Sequence, residues 1–418
     1  MSALRHLTIA LVYALSACGG GGGGAAAPAQ NSNPTSSPAP GCASAATPAS
    51  TATPAGPSPQ PASDLTVPSG FRIEIVGNVA GARELAFSPN GDLFVGTTGS
   101  AVYIVANAEA QAAFPRVFAD IGQRKASGVA LSLQSCALYV GATSGVYRIP
   151  YTIGDRTAQS PPVKIASVRT AGGDDHDTTT VAVSGNTLFA SVGSSCNACV
   201  ETDPTRATIQ QMHLDGTGMS SRAVNIRNAI ALAVNPATGT LWAGDAGQDA
   251  LPQGHPYEFF DGVTMHAGVA DYGWPNCEEN RVAYTSGADC SRAVIPAVEF
   301  PAYQTIIGAA FYPANVSGAY AFPQQYRGGA FVAMHGSWHA SGGVPVAPPR
   351  VAFVPMSGDS PRTAVNWSLP TAQWTDFISG FQHADGTRGG RPTGVAVGPQ
   401  GSLFVADDQT GAIYRIRP

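Results

Sequence analysis

TGVAVGPQGSLFVADDQTGAIYRI, Thr393 to Ile416, holds three short apolar runs separated by turn residues. GVAV, LFVA and AIYRI are rich in valine, isoleucine and aromatics, with GPQGS and DDQTG between them. Such runs read as strands joined by tight turns. The pairing of the first two recurs along the chain. ELAF (84–87) precedes LFVG (93–96), GVAL (128–131) precedes LYVG (138–141), and TVAV (180–183) precedes LFAS (188–191). ALAV (231–234) precedes LWAG (241–244), and GAAF (308–311) precedes AFVA (330–333). Six strand–turn–strand copies with little helical periodicity predict an all-β fold, a six-bladed β-propeller. The first run of each pair is built of small residues, as an innermost strand crowding a shared axis requires. FRIEIV (71–76) is expected to lie beside AIYRI (412–416), closing the ring and removing an open sheet edge.

The propeller is expected to occupy residues 65–418. MSALRHLTIALVYALSAC (1–18) has a basic start, an apolar middle and small residues before a cysteine. It reads as a secretory signal peptide, too short to be an ordinary spanning helix. Leu15-Ser16-Ala17-Cys18 resembles a bacterial lipobox, so a lipoprotein anchored through Cys18 is expected. With Gly19 rather than aspartate next, the expected location is the periplasmic face of the envelope, at the outer membrane. Residues 19–64 are Gly, Ala, Pro, Ser and Thr with almost no large apolar side chains, and read as a disordered tether. Cys42 lies inside it with no evident role. A net charge of -5 and a charged fraction of only 12% argue against nucleic acid as the main partner.

Seven cysteines in a secreted chain invite disulfides. Cys277 and Cys290 bracket a polar loop and are expected to pair. Cys196 and Cys199 form a CxxC without the second pair a zinc site usually wants, which leaves a local disulfide or free thiols. Cys136 is expected in a strand, as an inert buried thiol.

When the six copies are aligned on their central alanines, the residues just upstream gather at one mouth of the channel. They are Lys125, His176, Arg227, Gln304/Thr305 and Arg391, with Arg83 from the first blade. Converging cations repel unless something anionic neutralises them, and a multiply charged carboxylate ligand would do so. The alternative is local pairing: Arg83 with Glu84, and His176 with Asp174, Asp175 and Asp177.

Several longer stretches then carry a family resemblance. GARELAFSPNGDLFVGT, His176 shortly before TVAV, SVGSSCNAC, IRNAIALAVNPATGTLWAGD, DYGWPNC (271–277), YRGGAFVAMHGSW (326–338) and GRPTGVAVGPQGSLFVADD resemble the PQQ-dependent sugar dehydrogenases of the soluble glucose and L-sorbosone type. The resemblance implies pyrroloquinoline quinone (PQQ), a tricarboxylate, over the propeller axis, with calcium bridging to it. It implies His176 as the base that takes the proton of a sugar hydroxyl while hydride passes to the quinone. Arg227 would face the quinone oxygen. Asn228, His335, Arg391, Lys125 and Arg83 complete the expected cofactor-binding set, and Gly247, Gln248 and Asp249 the expected metal set, with Glu258 as a further possible ligand. Small-molecule sugar and a membrane electron acceptor are the implied partners. Three positions depart from the family pattern: Ser194 replaces an aspartate that orients the histidine, Thr179 replaces a cation, and Ala340 replaces an arginine. The alternatives are a ligand-binding propeller without turnover and a metal-dependent lactonase-type hydrolase.

Overall fold

The computed structural model describes Cys42 and residues 59–110, 114–170, 176–341 and 343–418. Each apolar pair forms an antiparallel hairpin, and each hairpin begins a sheet of at least four strands. The first blade comprises Ala82–Phe87, Leu93–Thr97, Ala101–Val105 and Arg116–Asp120. The innermost strands of the next five are Gly128–Ser132, Val181–Ser184, Ala231–Val234, Ile306–Phe311 and Pro392–Val397. Each innermost strand touches the next, and Pro392–Val397 touches Ala82–Phe87, so the ring of six is closed.

Closure works as expected from the sequence. Arg72–Asn78 pairs antiparallel with Ala412–Arg417, from Arg72 opposite Arg417 to Asn78 opposite Ala412. The first and last parts of the folded chain thus share a blade, and opening the ring would break a full strand ladder.

Second strands show why the pattern reads as continuous apolar runs rather than alternation. LFVGT, ALYVGA, AFVAM and LFVAD are buried at every position. Both faces of a blade pack on neighbouring blades, so both sets of side chains must be apolar or small. At the axis the packing excludes side chains altogether in places. A Cβ on Gly394 would stand 2.3 Å from the Arg83 carbonyl oxygen.

Two expectations about cysteine are corrected. Cys136 lies in the turn after Gly128–Ser132 and is bonded to Cys42. Cys42 is fully buried, and its carbonyl accepts a hydrogen bond from Ile153 N at 2.9 Å. The tether therefore touches the propeller at one covalent point, which composition could not reveal because a cross-link needs no apolar run. Ordered structure also begins before residue 65: Gln60–Pro61 pairs with Arg72–Asn78, and Ala62 packs on the core. The Cys196–Cys199 and Cys277–Cys290 disulfides are both present. The signal peptide and lipobox fall outside the described residues.

Candidate active site

Antiparallel register places the start of each innermost strand opposite the end of the second: Pro392 faces Asp407, Ile306 faces Met334, and Ala231 faces Gly244. Residues before the first strand and after the second therefore share one face of the ring. The aligned cations lie on that face, and so do the loops that follow the second strands.

His176 has φ of 45°, a left-handed backbone rare for a side chain of this size. Arg169 holds it there, donating to the carbonyls of His176 (3.0 Å) and Thr178 and to Thr179 Oγ1 (2.6 Å). Burial, with the charge of Arg206 next, pulls the Arg169 guanidinium down to about 10. Thr179, where the family resemblance expects a cation, thus has one against its hydroxyl, supplied from Arg169. Close approach at this point also requires a glycine: a Cβ on Gly193 would lie 2.5 Å from His176 Cβ and 2.6 Å from Asn228 Oδ1.

Among the described residues it is Ser194 that orients the imidazole. His176 Nδ1 lies 2.8 Å from Ser194 Oγ and 3.2 Å from Ser194 O. Ser194 Oγ gives its own hydrogen to Cys196 O at 2.7 Å. Both described neighbours of Nδ1 are thus placed as acceptors, an arrangement that suits a hydrogen on Nδ1. Asp177, one of the three acids expected to tune the histidine, pairs instead with Lys125. Asp174 and Asp175 lie outside the described residues.

Arg227 is buried and, among the described residues, has four contacts at its guanidinium. Nε donates to Asn197 O (2.9 Å), one terminal nitrogen to Ala246 O (3.0 Å), and the other to Asn197 Oδ1 (2.9 Å). Asp249 Oδ2 stands 3.5 Å from that last nitrogen. The other oxygen of Asp249 meets His339 Nε2 at 2.8 Å. Asp249, expected among the metal ligands, thus has its carboxylate engaged by Arg227 and His339. Asn228 anchors the same corner, its N–H donating to Asp245 Oδ1 at 2.6 Å.

Across the mouth, Arg83 pairs with Asp408 at 2.9 Å, not with the adjacent Glu84. His335 Nε2 meets the other Asp408 oxygen at 2.8 Å. Burial pushes His335 down to about 4 although Asp408 acts the other way, so it is neutral at pH 7. Arg391 donates to the carbonyls of His335 and Gly336, both at 3.0 Å. Burial, then the charge of Arg388, lowers it to about 10. The loop carrying His335 and His339 links the two sides, because each histidine reaches a different acid of the belt.

Beneath Gly247 lies a small cavity lined by Arg227, Asp245, Gln248, Trp274, Glu279 and Tyr284 among others. Gln248 Oε1 and Glu279 Oε2 are buried there without hydrogen-bond partners. Glu258 Oε2, close by, is also without one. Burial, followed by the charge of Asp245, pushes Glu258 up to about 8, and burial pushes Asp245 up to about 7. A buried set of acceptors this poorly satisfied is what a hard cation would relieve.

Asp408, Asn197 and Arg169 escape an alignment made only on the first strands. Aligning the ends of the second strands brings His335 and Asp408 to the same position, with Ser194 and Gly247 one residue further on. No comparable signal marks Arg169.

The fold and site together define a six-bladed propeller with an imidazole, buried arginines and paired acids at its axial mouth. A family model described as TrAA12-like matches residues 65–278 and 276–418. The chain belongs to the TrAA12-like family. Among solved structures it is similar to the PQQ domain of a pyranose dehydrogenase from Coprinopsis cinerea, with 18% identity and a TM-score of 0.71 over 87% of this chain and 99% of that one. The calcium structure of a family AA12 carbohydrate-active enzyme from Trichoderma reesei gives 18% identity and a TM-score of 0.68, over 86% and 97%. The PQQ-bound aldose sugar dehydrogenase of Streptomyces coelicolor gives 17% and 0.56, over 84% and 99%. An uncharacterised protein of Borreliella burgdorferi is 24% identical over 85% of this chain and 91% of its own length.

Proposed function

We propose that the protein is a PQQ- and calcium-dependent oxidoreductase that oxidises a hydroxyl of an aldose or related sugar. The observation that carries this reading is the contact of His176 Nδ1 with Ser194 Oγ at 2.8 Å, which fixes the ring at the axial mouth. An imidazole at the axial mouth, held at Nδ1 by Ser194, is placed to exchange a proton with a substrate hydroxyl, and histidine's near-neutral range suits general-base work. The likeness to a pyranose dehydrogenase PQQ domain and an aldose sugar dehydrogenase supports the same chemistry.

The mouth fits a multiply charged anion. Arg83 Nε is a buried donor without a partner, and Arg391 is held low by burial and the neighbouring cations Arg388 and Arg83. Arg83, Arg391, Arg227, Lys125 and Asn228 would hold the cofactor, with His335 as a neutral neighbour. The Gly247 region fits calcium: among the described residues neither the Gly247 nor the Gln248 carbonyl receives a hydrogen bond, and Gln248 Oε1, Glu258 Oε2 and Glu279 Oε2 lie unsatisfied nearby. When bound, the quinone supplies a two-electron acceptor. In this protein His176 takes the hydroxyl proton at Nε2, Ser194 keeps Nδ1–H in place, and Arg227 presents a fixed, desolvated positive charge. Trp338, 71% exposed and stacked on His339 with ring centroids 4.0 Å apart, offers an apolar face to a sugar ring at the rim. The lipid anchor at the periplasmic face would hold the enzyme near a membrane electron acceptor.

A second reading, a ligand-binding propeller without turnover, is favoured by the pairing of Lys125, Arg83 and Arg227 each with an acid. The lactonase reading lacks such support: among the described residues the one side-chain trio at metal-binding spacing is Cys196, Cys199 and Glu201, and both cysteines are in a disulfide. Reconstitution with PQQ and calcium, followed by dye reduction with a panel of sugars, separates the readings. Turnover that His176→Ala lowers by roughly a hundredfold or more, with cofactor binding intact, is expected. A cofactor spectrum without turnover supports the binder, and absence of any spectral change removes the quinoprotein reading.

A further inference from the structure

We propose that the loop from Ser194 to Cys199, closed by the Cys196–Cys199 disulfide, positions His176 and Arg227 together, and that Asn197 is the residue that aims the guanidinium. The inference rests on the proposed function only for its kinetic readout.

The loop reaches both groups by separate atoms. Cys196 O accepts the hydrogen of Ser194 Oγ at 2.7 Å, which fixes that hydroxyl as an acceptor toward His176 Nδ1. Asn197 O and Oδ1 then take two different nitrogens of Arg227, each at 2.9 Å. The same Oδ1 accepts from Asp249 N at 2.7 Å, while Asn197 Nδ2 donates to Asp249 O at 3.0 Å. One amide thus registers Arg227 against the segment that carries its counter-ion. Aspartate could not replace it, because a carboxylate has no hydrogen to give Asp249 O. Ser194 N also donates to Arg227 O at 2.8 Å, so the loop grips the backbone of this arginine through Ser194 and its side chain through Asn197.

A disulfide spanning three residues narrows the conformations open to the two between them. Asn197 is one of those two. The cross-link therefore limits the positions open to this amide. Neither Asn197 nor the disulfide needs to touch substrate for this. They are positioning elements, and a displacement near 1 Å at the reacting groups costs on the order of a hundredfold in rate.

The test uses full-length protein reconstituted with PQQ and calcium, with Asn197→Ala, Asn197→Asp, Ser194→Ala, Ser194→Asp and Arg227→Ala. Asn197→Ala is expected to lower kcat roughly tenfold to a hundredfold with little change in KM or melting temperature. Combining it with Arg227→Ala should add no further loss, whereas a merely structural role would add its cost again. Ser194→Asp should move the acid limb of the pH–rate profile upward by about one pH unit, because a carboxylate favours the protonated ring. Two readouts need no turnover. A crystal structure of Asn197→Ala should show the Arg227 guanidinium displaced, and nitrogen NMR shifts should show Nδ1–H in wild type but a tautomer mixture in Ser194→Ala. If wild type fails to oxidise any sugar yet these readouts hold, the functional reading falls and the positioning inference stands. An unmoved guanidinium in Asn197→Ala, or wild-type kcat, overturns the inference.

Discussion

Replacing Glu258 with glutamine isolates the electrostatic debt of the cavity beside the mouth. Glu258 is 4% exposed, and its carboxyl is pushed from 4.5 up to about 8 by burial first and by Asp245 second. The backbone N–H groups of Thr305, Ile306 and Gly247 act the other way without prevailing. In the unfolded chain the same carboxyl ionises near 4.5. Folded protein therefore keeps a proton that unfolded protein releases. The stability this group contributes is complete below pH 4.5 and is lost as pH rises toward 8. At about 1.4 kcal/mol per pH unit the gap caps the loss at roughly 5 kcal/mol, of which about 2 kcal/mol falls between pH 6.5 and 8. That window avoids His335, whose folded-state ionisation near 4 removes stability only as pH falls below about 6.5. Urea unfolding of metal-free protein in chelator should show stability falling across the window. Glu258→Gln keeps the shape, cannot ionise, and should lower the slope, leaving what Asp245, Glu84 and Glu279 contribute, the first two raised by burial to about 7 and about 8 and the third well above the usual carboxylate range. Millimolar calcium should stabilise wild type more at pH 8 than at pH 6.5, because the cation needs the ionised carboxylates. A wild-type profile that is flat in chelator, or a variant with an unchanged slope, refutes the reasoning.

Loss of the Cys42–Cys136 bond by a Cys136→Ala change should destabilise the protein, because the bond closes a loop of 94 residues. The chain-entropy estimate for that length is about 4–5 kcal/mol, read by unfolding of wild type and variant, and an unchanged midpoint would contradict it. Thiol alkylation before reduction should leave Cys42 unlabelled in wild type and labelled in the variant. Trp338→Ala should raise KM for the preferred sugar roughly threefold to tenfold with kcat nearly constant, as loss of a stacking face removes uniform binding. A fall in kcat without change in KM would assign Trp338 a different part in the reaction.

Much of the architecture is written in local pattern. The six pairs of apolar runs, their turns and the outer strand 71–76 are short-range features, since strand propensity and turn chemistry act over four to eight residues. The register of the aligned copies further identifies His176, Arg227 and Arg391 as mouth residues, because every blade repeats the same geometry. Their partners are another matter. Arg83 finds Asp408 across 325 residues rather than Glu84 beside it, and His176 finds Ser194 on the neighbouring strand's far end rather than Asp177. Arg83 and Glu84 are neighbours on one strand and point to opposite faces, so nearness in sequence does not make a pair.

Sequence alone determined that this chain would form a closed ring of six small-stranded sheets and that cations would meet at one mouth. Only the tertiary structure decided the surroundings of those groups: which arginines are clamped, what His176 Nδ1 faces, and where Cys42 is tied. Repeats and turns are set by steric and apolar forces within each segment. Hydrogen-bond partners and ionisation depend on distances and burial between segments that only closure of the ring brings together.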